Sequence, residues 1–489
     1  MTHLLEITTL GGLKAAGYTS KSIKEELRDN LIGKLKSGEP AFEGILGYEH
    51  TVIPQVERAI LSGHSINLLG LRGQAKTRIA RLMTNLLDEY IPVVEGSEIN
   101  DDPLAPLSAV AQKIIEEQGD DTPISWLHRS QRYSEKLATP DVNIADLIGD
   151  IDPIKAANLR LSFSDEGVIH FGMIPRANRG IFVINELPDL QPRIQVALFN
   201  ILQEGDVQIR GFNLRFPLDV QFIFTANPED YTNRGAIITP LKDRIQSQIF
   251  THYPKSIDIG QAITQQEVKL TSTQGNILIP DIISRMIEQI AVEARVSEYI
   301  DEKSGVSARL PISAYEAVVS AVERRMILNG ETSGTARIGD LSAAIPAIIG
   351  KIEMVYEGEQ EGAVSVAHRL IGAALRSLAP DYFKNIDLIQ NKSFPEIKEE
   401  ARKVAEWFEQ GNTLDLVNDA PEADFQQQLD KIDELEKVVR RLSASYSDKG
   451  KYLLMEYFIH VMAEYSMLDK KLLEVSYNFR DYFSSVMPG

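Results

Sequence analysis

One stretch constrains this chain more than any other. The run Ser65-Ile66-Asn67-Leu68-Leu69 passes directly into Gly70-Leu71-Arg72-Gly73-Gln74-Ala75-Lys76-Thr77, and a helical pattern continues from Arg78. A strand entering a glycine-bearing loop and then a helix aims backbone N–H groups at one point, and the helix dipole adds positive potential there. Lys76 brings an ammonium for outer phosphates and Thr77 a hydroxyl for Mg²⁺. The stretch reads as a phosphate cradle, with an ordinary strand-to-helix turn as the alternative. Ala75 stands where a glycine is expected before the lysine, which is harmless only if its φ stays below zero.

Two further apolar runs end in polar side chains. Ile181-Phe182-Val183-Ile184 delivers Asn185 and Glu186, and Phe222-Ile223-Phe224-Thr225-Ala226 delivers Asn227 roughly 40 residues later. Ligands of open α/β sheets bind at the carboxyl ends of strands, so these groups are candidates for one site. A glutamate there polarises an attacking water, and an asparagine orders it. The position before Glu186, where an aspartate holds Mg²⁺, is Asn185, which keeps an acceptor oxygen without the charge. A surface glutamate at a strand end is the plainer alternative.

Short apolar runs at Ile66–Leu69, Tyr90–Val94, Ile181–Ile184, Val220–Thr225 and Gln248–Phe250 alternate with helical stretches, which predicts a parallel sheet flanked by helices across 41–253. Alternating stretches at Leu161–Phe163 with Val168–Phe171, and at Val207–Phe216, predict two β-hairpin inserts. Residues 1–40, with Ile23, Leu27, Leu31 and Leu35 four apart, read as a helical docking extension. The stripes Ile282, Ile283, Met286, Ile287, Ile290 and Ala314, Ala317, Val318, Ala321 predict an all-helical lid over 254–356. The rest, 357–489, reads as a helical C-terminal extension with a loop around Gly411–Ala423. Phe425, Leu429, Ile432, Leu435, Val439 and Leu442 form a stripe there that either packs on its own domain or meets a partner, and Trp407 and Phe408 read as core.

The 489 residues contain no cysteine and eight histidines, which excludes disulfides, thiolate nucleophiles and sulfur-based zinc sites. A net charge of −19 repels a phosphate backbone, so nucleic acid is not expected as a partner. No apolar run is long enough to span a bilayer and the first ten residues lack a leader pattern, so a cytoplasmic protein without membrane insertion is expected. Asp101, Asp102, Asp141 and Asp146 read as solvated loop carboxylates, with a hard-cation site as the alternative.

From Phe42 to about Gly350 the chain resembles the AAA+ core and lid of the magnesium-chelatase motor subunit and its MoxR relatives. The most specific pieces are Ile45-Leu46-Gly47, similar to the adenine-contacting segment, and Arg176-Ala177-Asn178-Arg179-Gly180 before the second strand. The resemblance implies ATP and Mg²⁺ as cofactors, contacts from Ile45, Leu46, Gly47, Gly70, Arg72, Gly73, Gln74, Ala75, Lys76, Thr77 and Arg78, and Mg²⁺ held by Thr77 and Asn185. It makes Glu186 and Asn227 catalytic, Arg244 in Leu241-Lys242-Asp243-Arg244 a finger reaching a neighbour's nucleotide, Arg309 in Ser307-Ala308-Arg309 a sensor of the γ-phosphate, and Arg234 a second trans-acting arginine. A hexameric homo-oligomeric ring and a partner with a von Willebrand factor A domain follow from the same resemblance. So does an ATP-driven remodelling or metal-loading activity, slow if Asn185 weakens the metal. A nucleotide-gated scaffold with little hydrolysis and a magnesium-insertion motor subunit are the alternatives. The chelatase form carries a cysteine cluster within Gly96–Ile148 that is absent here, which excludes metal-cluster redox sensing.

Overall fold

The computed structural model of the protein describes residues 4–160, 162, 166–204, 206–209, 215–227, 236–390, 395–443, 446–472 and 476–482. The chain divides into two compact units, Met1–His252 and Tyr253–Gly489.

The first unit contains, in chain order, β1 (Ile66–Leu69), β2 (Tyr90–Val94), β3 (Ile124–His128), β4 (Tyr133–Leu137), β5 (Gly149–Ile151), β6 (Ile169–Phe171), β7 (Gly180–Asn185), β8 (Asp206–Gln208), β9 (Arg215–Pro217), β10 (Val220–Ala226) and β11 (Ser247–Phe250). Five of them form a wholly parallel sheet in the order β11-β1-β10-β7-β4. Side chains alternate across a strand, so a sheet covered on both faces needs apolar residues at nearly every position. Ile66, Leu68, Ile181, Val183 and Ile223 pack on one face with the helices Ile23–Ser37, Val52–Leu61 and Lys76–Leu82. Leu69, Phe182, Ile184, Phe222 and Phe224 pack on the other with Pro192–Glu204 and Thr239–Arg244.

The expected fifth strand is corrected. Tyr90–Val94 pairs antiparallel with β3 in a separate two-stranded sheet, and the parallel edge is β4 instead. As an edge strand only half-buried along its length, β4 carries Ser134, Glu135 and Lys136, and Arg81 pairs with Glu135. The second hairpin forms as β8 with β9, Val207 opposite Phe216, its tip at 210–214 lying outside the described residues. In the first, Ile169–Phe171 pairs with Gly149–Ile151 rather than with Leu161–Phe163, much of which lies outside the described residues.

The helix Ile23–Ser37, expected as part of a separate extension, contributes to the first unit's core: Ile23, Leu27 and Leu31 are buried and Leu35 is exposed. Its start is fixed by the Ser22–Glu25 capping box and by Asp219, which accepts from Ile23 N at 2.6 Å. Glu26 on this helix forms a buried two-pronged pair with Arg132 at 2.7 and 2.6 Å.

The second unit is built on the helices Ile257–Glu267, Asp281–Val296, Arg309–Asn329, Ala363–Tyr382, Pro395–Glu409 and Lys451–Glu464. It is not all-helical. Within the lid stretch, β12 (Ile277–Leu278) and β13 (Gly334–Thr335) form a two-residue parallel pair. Further on, β14 (Leu414–Val417), β15 (Leu468–Leu472) and β16 (Ser476–Asp481) form an antiparallel sheet in the order β14-β16-β15. The predicted Phe425–Leu442 stripe is split between the helices Glu422–Asp430 and Leu435–Leu442, and all six residues are buried within their own unit. Ile283, Met286 and Val318 of the lid stretch share one continuous core with Leu370, Phe408 and Phe458 of the C-terminal stretch. Among the described residues no helix is long and apolar enough to cross a membrane.

Candidate nucleotide site

The parallel register brings the candidate residues to one edge. Leu69 of β1 aligns with Ala226 of β10, and Phe224 of β10 with Ile184 of β7, so Gly70, Asn227, Asn185 and Glu186 follow the carboxyl ends of three adjacent strands. Adjacent strands lie about 4.8 Å apart, a spacing that one triphosphate spans. Gly70 N donates to the Ala226 carbonyl at 3.1 Å, closing the loop onto β10.

Gly70 is required where it stands, because a Cβ there would lie 1.8 Å from the Thr251 hydroxyl. That hydroxyl donates to the buried Gln74 side chain at 2.7 Å, tying the loop to the end of β11. Gly73 adopts φ 79°, while Arg72 is exposed and Arg78 half-buried. Ala75 corrects the condition set above: its φ is +56°, left-handed, where an L-residue with a Cβ costs about 1–2 kcal/mol relative to glycine. Lys76 is buried at the start of the helix Lys76–Leu82, its ammonium donating to the Gly70 carbonyl and, at 2.9 Å, to that of Leu71.

Asn185 is the junction of the polar groups. Its amide oxygen accepts from the Thr77 hydroxyl at 3.3 Å and the Thr225 hydroxyl at 3.1 Å. Thr225 Oγ1 in turn accepts from Glu186 N at 3.2 Å. Glu186 sits at φ 56° and ψ 51°, a second left-handed non-glycine residue, half-buried directly after β7. Such backbone persists only where the surroundings over-determine it, and it clusters where side chains do chemistry. Asn227 is buried directly after β10.

Among the described residues no group of three or more histidines and carboxylates is arranged to hold a metal. A Mg²⁺ that takes most of its ligands from phosphate oxygens and water needs only one or two protein oxygens, and the residues that would supply them are Thr77 and Asn185, whose side-chain oxygens lie 3.3 Å apart. Asp101, weighed above as solvated or metal-binding, is neither: fully buried, it accepts from Leu107 N, Ser108 N, Ser97 Oγ and Ser108 Oγ at 2.6 to 2.9 Å. Asp146 caps a short helix with Asn143.

On the Ile45-Leu46-Gly47 segment, Ile45 is buried and Gly47 has φ 79°. The next residue, Tyr48, was missed from sequence. It donates to the His252 carbonyl at 2.6 Å, has the Gln74 carbonyl 3.2 Å away and meets the His252 ring edge-on at 4.9 Å. Thr51 lies 2.8 Å from His252 Nε2. The contacts with His252 join residues some 200 positions apart, which no local pattern announces. The Arg176–Gly180 segment is structural: Asn178 bonds Ile99 and Asp219, and Arg179 donates to Pro92 O at 2.7 Å.

Arg244 ends the helix Thr239–Arg244, half-buried, paired with Asp243 and 5.2 Å from the centre of the Phe199 ring. It lies three residues before β11, whose first residue aligns with Ile66 at the start of β1, the sheet edge opposite the phosphate loop. Arg309 opens the helix Arg309–Asn329 in the second unit and is exposed. Arg234 lies outside the described residues.

A model of the sigma-54 interaction domain matches residues 160–251, which include β7, β10 and the Arg244 segment. The magnesium-chelatase 38 kDa subunit of Cereibacter sphaeroides is 26% identical over 46% of this chain and 63% of its own length. The hydrogenase transcriptional regulatory protein HoxA of Cupriavidus necator is 26% identical over 44% of each chain. The matched stretch thus spans under two thirds of these curated relatives. A cryo-electron-microscopy structure of the complex between subunits BchI and BchD of magnesium chelatase is 18% identical, covering 65% of this chain and 98% of that one, at a TM-score of 0.34. With five parallel strands flanked by helices and its polar groups gathered at their carboxyl ends, the first unit has the AAA+ fold, and the chain is related to the AAA+ ATPases of the magnesium-chelatase group, a kinship that implies ATP and Mg²⁺ as its ligands.

Proposed function

We propose that the chain is a ring-forming ATPase of the MoxR and chelatase type, which couples ATP binding and hydrolysis to remodelling, or metal loading, of a protein client. One observation carries this reading: Lys76, Thr77, Glu186 and Asn227 follow the ends of three neighbouring strands. Lys76 and the loop amides bind the outer phosphates. Bound Mg²⁺ supplies charge neutralisation across them. Glu186 takes up proton density from a water that Asn227 orients toward the γ-phosphate. The position of Arg244, away from its own phosphate loop, supports its action on a neighbouring subunit's nucleotide, and hence a homo-oligomer, in this reading a hexamer. Arg309 senses the γ-phosphate, and the hairpin β8–β9 passes nucleotide state to the client. The partner is a protein with a von Willebrand factor A domain, and the setting is the cytoplasm.

Asn185 favours a second reading, a nucleotide-gated scaffold that scarcely hydrolyses. An uncharged amide engaged by two threonine hydroxyls attracts Mg²⁺ less than a carboxylate would. A magnesium-insertion motor subunit ranks below both. Steady-state hydrolysis by the wild type and by Glu186→Gln separates them. The motor reading expects the variant to lose about 10²–10⁴-fold in rate while still retaining ATP. Equal, near-background rates would remove it and leave the scaffold.

A further inference from the structure

The second unit holds an open cavity of about 780 Å³ lined by none of the candidate nucleotide-site residues. It lies between the helices Ala363–Tyr382 and Lys451–Glu464, with Lys470 of β15 and Tyr477 of β16 also in its wall. Its size is that of small-molecule sites. Ile338, Ile371 and Leu375 supply an apolar lining.

Two histidines line it. His460 is 2% exposed, held edge-on between the rings of Tyr477 and Phe479 at 5.0 Å each, and neither of its ring nitrogens has a hydrogen-bond partner among the described residues. His368, on the facing helix, has its Nε2 buried and equally unpartnered. Burial first, and the Lys470 charge second, lower the pKa of both rings, so both are neutral imidazoles near pH 7. Each neutral ring offers one donor and one acceptor, and buried polar atoms of this kind are nearly always satisfied. The charged side chains of the wall are already matched: Arg369 pairs with Glu361 at 2.8 Å, and Lys470 with Glu464. The four charges of the wall therefore sum to zero and offer no net attraction to an ionic occupant.

We propose that this cavity is a binding site for an uncharged, largely apolar small molecule whose hydrogen-bonding groups engage His460 and His368 while its apolar body rests on Ile371 and Leu375. No residue of the phosphate loop lines the site.

Indazole, uncharged and carrying neighbouring ring N–H and N groups, is the probe. Its binding to the full chain is followed by saturation-transfer NMR and by the imidazole ¹⁵N resonances of His460 and His368. The expected result is saturable binding that moves both sets of ring signals and weakens at least tenfold in His460→Phe. Val364 lines the cavity and is 55% exposed, so Val364→Trp narrows the site without touching the core and is expected to weaken binding even if His460→Phe misfolds. Absence of saturable binding, or equal affinity in the wild type and Val364→Trp, overturns the proposal and leaves a hydrated cavity.

Discussion

The phosphate loop of the first unit and the Arg325–Asp340 cluster of the second place their polar groups on different terms. At the phosphate loop and the neighbouring strand ends they range from buried (Gln74, Lys76, Asn227) to half-buried (Thr77, Asn185, Glu186), and two of the positions, Ala75 and Glu186, hold left-handed backbone that glycine would adopt without cost. Around Arg325 and Asp340 of the second unit the groups are largely buried and mostly paired with one another. Arg325 bonds Asp340 at 2.5 Å and Thr335 O at 2.7 Å, and Asp340 accepts from Arg337 N at 2.8 Å. Arg337 stacks on Phe425 at 4.2 Å and pairs with Glu422. At the loop two strained residues adjoin the groups that would meet a ligand, whereas the Arg325–Asp340 pair is held by contacts with its own unit alone.

The sharpest way to break this comparison is Arg325→Met, which strands Asp340 in the interior and is expected to cost about 3–5 kcal/mol. With Trp126→Phe in the background, Trp407 is the only indole, and denaturant unfolding followed by its fluorescence reports on the second unit. A cost below about 1 kcal/mol would mean that the cluster is not the architectural centre claimed for it.

Next in size is a pH effect. Burial pushes the Glu288 carboxyl from its ordinary 4.5 up to about 7, against the opposing Thr264 hydroxyl and Arg295 charge. The unfolded chain ionises this group near 4.5 and the folded chain only near 7, so its contribution is complete below the lower value, falls between the two and is flat above the upper one. The loss is about 3 kcal/mol at most. Glu288→Gln keeps an acceptor for Thr264 and does not titrate. The difference in stability between wild type and variant should change across this window and nowhere above it.

Smaller effects are expected at the phosphate loop. Asn185→Asp restores a charge near the metal and should raise hydrolysis at limiting Mg²⁺ about fivefold, on the order of 1 kcal/mol. An unchanged rate would count against the metal role of Asn185. Ala75→Gly relieves the left-handed alanine but loosens the unfolded chain, leaving a net gain of about 0.5–1 kcal/mol in the thermal stability of the first unit. A loss instead would show that the loop tolerates its strain for packing reasons.

Much of the first unit could be read directly from the residues. β1, β7 and β10 are buried on both faces, so their runs are mostly apolar, broken only by Asn67 in β1 and Gln221 and Thr225 in β10, and the groups that end them, Gly70 to Thr77, Asn185, Glu186 and Asn227, stand beside those runs in the chain. β4 could not be read in this way, because an edge strand with one side open tolerates Ser134, Glu135 and Lys136. β14 to β16 escaped for a related reason: β15 is charged along most of its length, and β14 hides among turn residues.

Local order thus prescribed the phosphate loop and its neighbouring strand ends, since strand, loop and helix there are consecutive and each side chain acts within a few residues of the motif that names it. Folding alone settled the sign of φ at Ala75, the burial of Asp101, the Tyr48–His252 link and the pairing of His460 with His368 across one cavity. The last two depend on groups far apart in the chain and the first two on how a local loop is packed, so all four are selected by packing of the whole unit rather than by any short pattern.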